Sequence, residues 1–215
     1  MVMQMETPMA GLRAKQKEQR RVAIADAAMK LFVEKGFDKT RMEDIAAEVN
    51  VSGQTVFNYY PTKQVILFEF LKLADRSALE EARSTLDPTG DPVDVLCGLV
   101  EIITRLELRI MAPSLWREIL PIILFNPKDE LPESYRREND NLIADIRAFL
   151  HDMQKAGRLS ARADIDFAAF MLNDYGHLQL VRLVNRDDPD WDAFRDNVRN
   201  SIRLMVQGLI CPPEA

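Results

Sequence analysis

Hydrophobic positions recur three and four residues apart along almost the whole chain, the spacing that places side chains on one face of an α-helix. Val22, Ala25, Ala28, Leu31 and Phe32 form the first such stripe, and Gly36 beyond it suits the left-handed residue that ends many helices. Thr40, with Glu43 three residues on, has the form of a capping box; it would open a short helix whose buried side is Ile45, Ala46 and Val49. Asn50 tolerates the left-handed turn conformation, and Ser52 can N-cap a third helix running to about Tyr59. Pro61-Thr62 closes that helix and starts a long fourth one, Lys63 to roughly Arg83. The LDPTGDP stretch at 86–92 is the clearest break, with Asp91 as N-cap and Pro92 in the first helical position. Further helices are expected at about 93–111, 114–125, 133–156, 164–185 and 190–209, separated by Pro113, Asn126-Pro127, Gly157 and Asp187-Asp188-Pro189. No stretch shows convincing strand alternation or an internal repeat. The pattern predicts an all-α chain of about nine helices.

Composition narrows this only slightly. With 47% hydrophobic and 29% charged residues, the 215-residue chain can bury a core, which excludes a disordered or fibrous protein. Charge is more informative in its distribution than in its total of −6. Residues 1–64 carry 10 Lys and Arg against 8 Asp and Glu, and residues 65–215 carry 18 against 26, a net of +2 and of −8. Arg13, Lys15, Lys17, Arg20 and Arg21 stand close together with only Glu18 opposing them. A small basic head on an acidic body suggests an anionic partner for the head alone; charge by itself fits a solvated basic helix equally well.

Several function classes find no support. Cys97 and Cys211 lie far apart in apolar sequence, so they read as reduced core thiols of a cytosolic protein, with no disulfide framework or metal spacing. The opening MVMQMETPMAGLRAKQ lacks the apolar core of a signal peptide, and no apolar run approaches the ~20 residues of a membrane span. A soluble intracellular protein is expected. Neither G-x-G-x-x-G, a P-loop, H-E-x-x-H nor a serine elbow occurs, and His151 and His177 fall on different helices. An enzyme is not expected, nor any metal or cofactor.

Two short helices joined by Val49-Asn50-Val51, behind a longer helix, make a helix-turn-helix pattern. Its requirement is a tight turn that sets the second helix across the first so that its N-terminal end protrudes. Here that end is Ser52-Gly53-Gln54-Thr55, small and polar enough to approach a DNA backbone or base edge. Arg13, Lys15 and Lys17 near the start of the first helix, and Arg41 at the start of the second, oppose the helix dipole. Pairing with phosphate would offset that cost, and solvation can offset it too.

The stretch Thr40-Arg-Met-Glu-Asp-Ile-Ala-Ala-Glu-Val-Asn-Val-Ser-Gly-Gln-Thr-Val-Phe-Asn-Tyr-Tyr-Pro-Thr-Lys63 resembles the DNA-binding domain of TetR-family transcriptional regulators, over about residues 15–70. That resemblance implies a DNA-binding domain over 1–62, with a basic N-terminal arm, and an effector-binding and dimerisation domain over 63–215. It implies that Thr40 and Arg41 hold phosphate, that Ser52, Gly53, Gln54 and Thr55 face the major groove with Asn58 beside them, and that Tyr59 and Lys63 clamp the backbone. The chain departs from the family pattern at Asn50, Phe57 and Gln64, where Gly, Tyr and Glu are usual. Phe57 lacks the hydroxyl, and its ring is expected in the core.

The remaining helices resemble the family in architecture only. The helix near 164–185 is apolar on nearly every side, so it must be buried on two sides. The resemblance makes it and the last helix a four-helix bundle with a second subunit, through Leu178, Val181, Phe194, Val198, Ile202 and Met205, with Leu209 at its end. Trp116, Phe125, Phe149, Met153, Phe167, Phe170 and Met171 are the candidate apolar lining of an effector pocket, with Arg105, Asp174 or His177 as polar handles; core packing is the alternative for each. The implied function is a ligand-responsive regulator, a repressor that binds a palindromic operator as a homodimer and is released by a small, largely apolar effector. The competing reading is a helical protein-interaction module without DNA binding.

Overall fold

A computed structural model describes residues 8–127 and 131–209. The opening MVMQMETPMAGLRAKQ begins outside them, and Cys211 and the side chain of Leu209 also fall outside. Among the described residues there are nine α-helices: α1 Pro8–Lys35, α2 Met42–Glu48, α3 Gly53–Tyr59, α4 Lys63–Thr85, α5 Pro92–Ile110, α6 Pro113–Phe125, α7 Glu133–Lys155, α8 Ile165–Val184 and α9 Trp191–Leu209. The chain divides into two compact units, Met1–Glu69 and Phe70–Ala215. No helix among the described residues is long and apolar enough to cross a membrane.

In the first unit α1 packs on α2, and α2 on α3. The buried stripe of α1 is Ile24, Ala25, Ala27, Ala28, Leu31 and Phe32, whereas Val22 is 49% exposed. At 3.6 residues per turn Val22 lies about 120° round the helix from Ala28, off the buried face. Gly36 ends α1 at φ +90°, and its N–H donates to the Phe32 carbonyl at 3.1 Å. Asn50 takes the left-handed conformation at φ +53° in the turn between α2 and α3. The Val51 N–H returns to the Ala46 carbonyl at 3.0 Å, which keeps that turn tight. Val49, expected on the buried side, is only half-buried at the α2 C-cap.

The expected capping box is displaced by one residue. Arg41, not Thr40, is the N-cap of α2, and its backbone N–H donates to Asp44 Oδ2 at 2.8 Å. Thr40 is buried because its hydroxyl donates to the carbonyls at the end of α1, Gly36 at 2.8 Å or Leu31 at 3.2 Å. A tertiary partner has claimed the group that a local cap would use.

The second unit is built around α5. Asp91 caps it, accepting from the N–H groups of Val93 and Asp94 at 3.0 and 3.2 Å. Leu96, Leu99, Ile102 and Leu106 of α5 meet Leu142, Ile146 and Leu150 of α7, Ala169 and Leu172 of α8, and the inner stripe of α9 in one apolar core.

That inner stripe is Phe194, Val198, Ile202 and Val206. Phe194, Val198 and Ile202 are therefore core residues of this chain, contrary to their expected place in a subunit interface, whereas Met205 is half-buried at the edge of the same core. The physical reason is that α9 is amphipathic and has one apolar stripe, which α5 occupies. Beside that stripe Arg195 and Arg199 pair with Glu101 and Asp94 of α5, while Arg203 and the 71% exposed Leu204 face solvent. α8 does keep a second apolar side, with Phe167 56%, Phe170 47%, Met171 37% and Leu178 47% exposed, and Val181 half-buried.

Candidate functional site

The outward stripe of α3 consists of Gln54, Phe57 and Asn58, at positions i, i+3 and i+4. Gln54 Nε2 donates to Asn58 Oδ1 at 3.1 Å, so the two amides are held together at the surface. Ser52 N-caps the helix, its Oγ accepting from the Thr55 N–H at 3.2 Å and lying 2.8 Å from Thr55 Oγ1. A Cβ on Gly53 would meet nothing within 4 Å, so no atom of the chain itself requires a glycine there.

Phe57 is 42% exposed, not in the core. The inner side of α3 is filled by Val56, with Tyr60 four residues on, both fully buried. Phe57 follows Val56 directly and is thereby turned about 100° away, toward solvent.

α3 is held from behind by contacts that sequence reasoning missed. The Tyr60 hydroxyl donates to the Arg21 carbonyl at 3.2 Å, and the Arg21 guanidinium lies 5.6 Å from the Tyr60 ring centre and pairs with Glu69. Burial pushes the Tyr60 phenol up to about 12. The i+4 spacing from Val56 was the available signal.

Of the residues expected to meet phosphate, Arg13, Lys15, Lys17 and Arg41 are exposed and Tyr59 is half-buried. Lys63 Nζ donates to the Phe37 carbonyl at 2.6 Å and sits 4.3 Å from that ring's centre, which leaves it two further N–H donors. Thr40 is the exception. Buried, with its hydroxyl proton and N–H both directed at the end of α1, it has no donor for a phosphate and instead positions α2.

The second unit contains two adjoining cavities. An inner one of about 30 Å³, room for about one water, lies between α5, α7 and α8, walled by Leu99, Ile103, Leu142, Ile146 and Leu172, with Thr104, Glu107, Asn173 and His177 as its polar groups. An outer one of about 380 Å³ lies between α6, α7 and α8, walled by Ile123, Tyr135, Ile143 and Phe170, with Arg136, Asn139 and Asp174. Asn173 and His177 line both. Asn173 Nδ2 donates to Asn139 Oδ1 at 3.1 Å. Burial pushes the His177 imidazole below its ordinary value, against the opposing pull of Asp174.

Few of the expected lining residues are there. Phe170 and Asp174 line the outer cavity. Phe167 and Met171 line a different groove of about 340 Å³ with Leu96 and Met205. Trp116, Phe149 and Met153 are close-packed and buried, and Trp116 Nε1 points at the Glu107 carbonyl at 3.4 Å. Phe125 is 82% exposed at the end of α6, and Arg105 is exposed and paired with Glu81. Size and apolarity selected core residues. The usable signal was the reverse one, polar residues on a buried apolar stripe: Thr104, Glu107 and Asn173.

Residues 24–70 match the family model of bacterial regulatory proteins, tetR family. The HTH-type transcriptional regulator HbdR of Aromatoleum sp. (strain CIB) is 36% identical over 83 residues, 39% of this chain and 36% of that protein. BetI of Agrobacterium fabrum, also an HTH-type transcriptional regulator, is 30% identical over 83 residues, 39% of this chain and 40% of its own. The matched stretches span from 16% to 44% of the curated relatives' lengths. Over nearly the whole chain it resembles FadR of Thermus thermophilus, a TetR-family transcriptional repressor solved in complex with lauroyl-CoA. The two are 26% identical, with a TM-score of 0.70, covering 91% of this chain and 97% of that one. The helix-turn-helix unit and these likenesses agree: residues 24–70 match the DNA-binding domain of the tetR family of bacterial regulatory proteins, and the chain as a whole is similar to transcriptional regulators of that kind.

Proposed function

We propose that this protein is a cytoplasmic repressor that binds a palindromic DNA operator as a homodimer and leaves it when a small, largely apolar effector binds. The observation that carries the reading is the outward stripe of α3, capped by Ser52 and buttressed by Tyr60, with a half-buried Gly53 at its start where a side chain would meet no atom of the chain. Glycine at the first turn of such a helix lets a sugar–phosphate backbone approach closely. In this reading residues 1–62 bind DNA. Gln54, Thr55 and Asn58 read base edges beside Ser52 and Gly53, while Arg13, Lys15, Lys17, Arg41, Tyr59 and Lys63 hold the backbone.

The effector half is 63–215, and the adjoining cavities among α5 to α8 are the effector site. Their walls are apolar, with a few convergent polar groups, which suits an apolar ligand carrying a polar end. The lauroyl-CoA complex of the Thermus thermophilus relative supports an acyl-type ligand and a repressor role. The exposed apolar side of α8, with Leu178 and Val181, is the dimer contact.

α4 follows the recognition helix directly in sequence and enters the effector half, so it is the covalent route for regulation. An effector that prefers the DNA-incompetent state about 100-fold weakens operator binding by the same factor, because coupling is reciprocal. The test is to measure lauroyl-CoA binding to the protein by calorimetry and then to titrate it into the complex with the selected duplex. Release is expected; unchanged duplex affinity at saturation would remove the allosteric claim and leave DNA binding intact.

A further inference from the structure

In the first unit Phe32, Phe37, Tyr60 and Phe68 are buried, while Phe57 is 42% exposed on the outward stripe of α3. Its neighbours on that stripe, Gln54 and Asn58, bond to each other, so the ring is the large apolar element of the reading face. An aromatic ring cannot pair with the donors and acceptors that distinguish most base edges. The apolar feature of the major groove is the C5-methyl of thymine.

Resting on the DNA-reading function above, we propose that Phe57 is a specificity residue that selects a thymine in each operator half-site by packing on its C5-methyl. Cytosine at that position is rejected twice. It offers no methyl, and its N4 amino donor would be desolvated against the ring without an acceptor. 5-Methylcytosine, which restores the methyl, recovers part of the affinity lost with cytosine.

The experiment uses the full-length protein and a duplex selected by it from a random library. Each thymine is then replaced singly by deoxyuridine, which deletes only the methyl, and affinity is measured at fixed salt. One thymine per half-site should respond with an affinity loss of about fourfold, the value for about 0.8 kcal/mol per buried carbon. Phe57→Ala should bind the thymine and uracil duplexes equally, and Phe57→Leu should keep part of the discrimination. The proposal is overturned if no uracil weakens wild-type binding, or if Phe57→Ala remains as sensitive as wild type. Enrichment of a duplex that is insensitive to uracil removes only the role of Phe57; failure to enrich any duplex removes DNA reading, and this role with it.

Discussion

The Tyr60 hydroxyl donates to the main-chain carbonyl of Arg21 across 3.2 Å, joining the end of α3 to α1. The bond fixes the recognition helix from its inner side, away from the stripe that faces solvent. Tyr60→Phe keeps the buried ring and loses only this bond, so urea unfolding should show a loss of about 0.5–1.5 kcal/mol. An unchanged midpoint would mean the hydroxyl is immaterial.

Alkaline pH tests the burial of the same hydroxyl. Burial raises the Tyr60 phenol to about 12, so the fold favours the neutral form. Its contribution is full below about pH 10, the ordinary tyrosine value, and is lost as pH rises through 12. Wild type should therefore lose more stability than Tyr60→Phe between those limits, measured by urea unfolding at each pH.

Backbone and base contacts should separate in the salt dependence. Arg41→Ala removes an exposed cation and should weaken binding to all duplexes alike, lowering the salt slope by about one. Gln54→Ala should instead relax preference at one position by roughly 1–3 kcal/mol and leave the slope unchanged. If Gln54→Ala binds cognate and scrambled duplexes in the wild-type ratio, Gln54 is no reader.

The apolar sides of α8 and α9 predict opposite outcomes for a buried charge. Leu178→Asp lies on an exposed surface and should split a dimer while the monomer stays helical. Val198→Asp places an unpaired charge in the core of the chain itself and should unfold the second unit. Sedimentation with circular dichroism distinguishes the two, and a wild-type monomer at micromolar concentration would contradict the dimer.

Gly176 borders the inner cavity, and a Cβ there would meet nothing within 4 Å. Gly176→Ala should stabilise α8 by about 0.5–1 kcal/mol through lower backbone entropy in the unfolded chain. The bulkier Gly176→Leu should fill the cavity and make the operator complex insensitive to effector. Normal effector release by Gly176→Leu would place the effector elsewhere.

What was legible in the sequence was local. Helix periods, the caps at Ser52 and Asp91 and the left-handed Asn50 depend on neighbours within four residues, and the structure has them. What was not legible depended on which of several possible partners each side chain takes in the folded chain. Thr40 reads as a cap until the end of α1 takes its hydroxyl. Phe57 reads as core until Val56 and Tyr60 fill the inner side of α3. Apolarity placed α9 in an interface, but only packing against α5 shows which way its stripe faces. Large apolar residues such as Trp116, Phe149 and Met153 fill the core, whereas the inner cavity is marked by Thr104, Glu107 and Asn173 on otherwise apolar surfaces.

Sequence-specific DNA reading by α3 is most directly tested by the affinity of the full-length protein for its selected palindrome against a scrambled duplex of equal length. Fluorescence anisotropy at one physiological salt concentration gives both values. A preference of at least about 10³ for the palindrome is predicted, reduced on Gln54→Ala. Equal affinity for the two duplexes, or binding to neither, would contradict it.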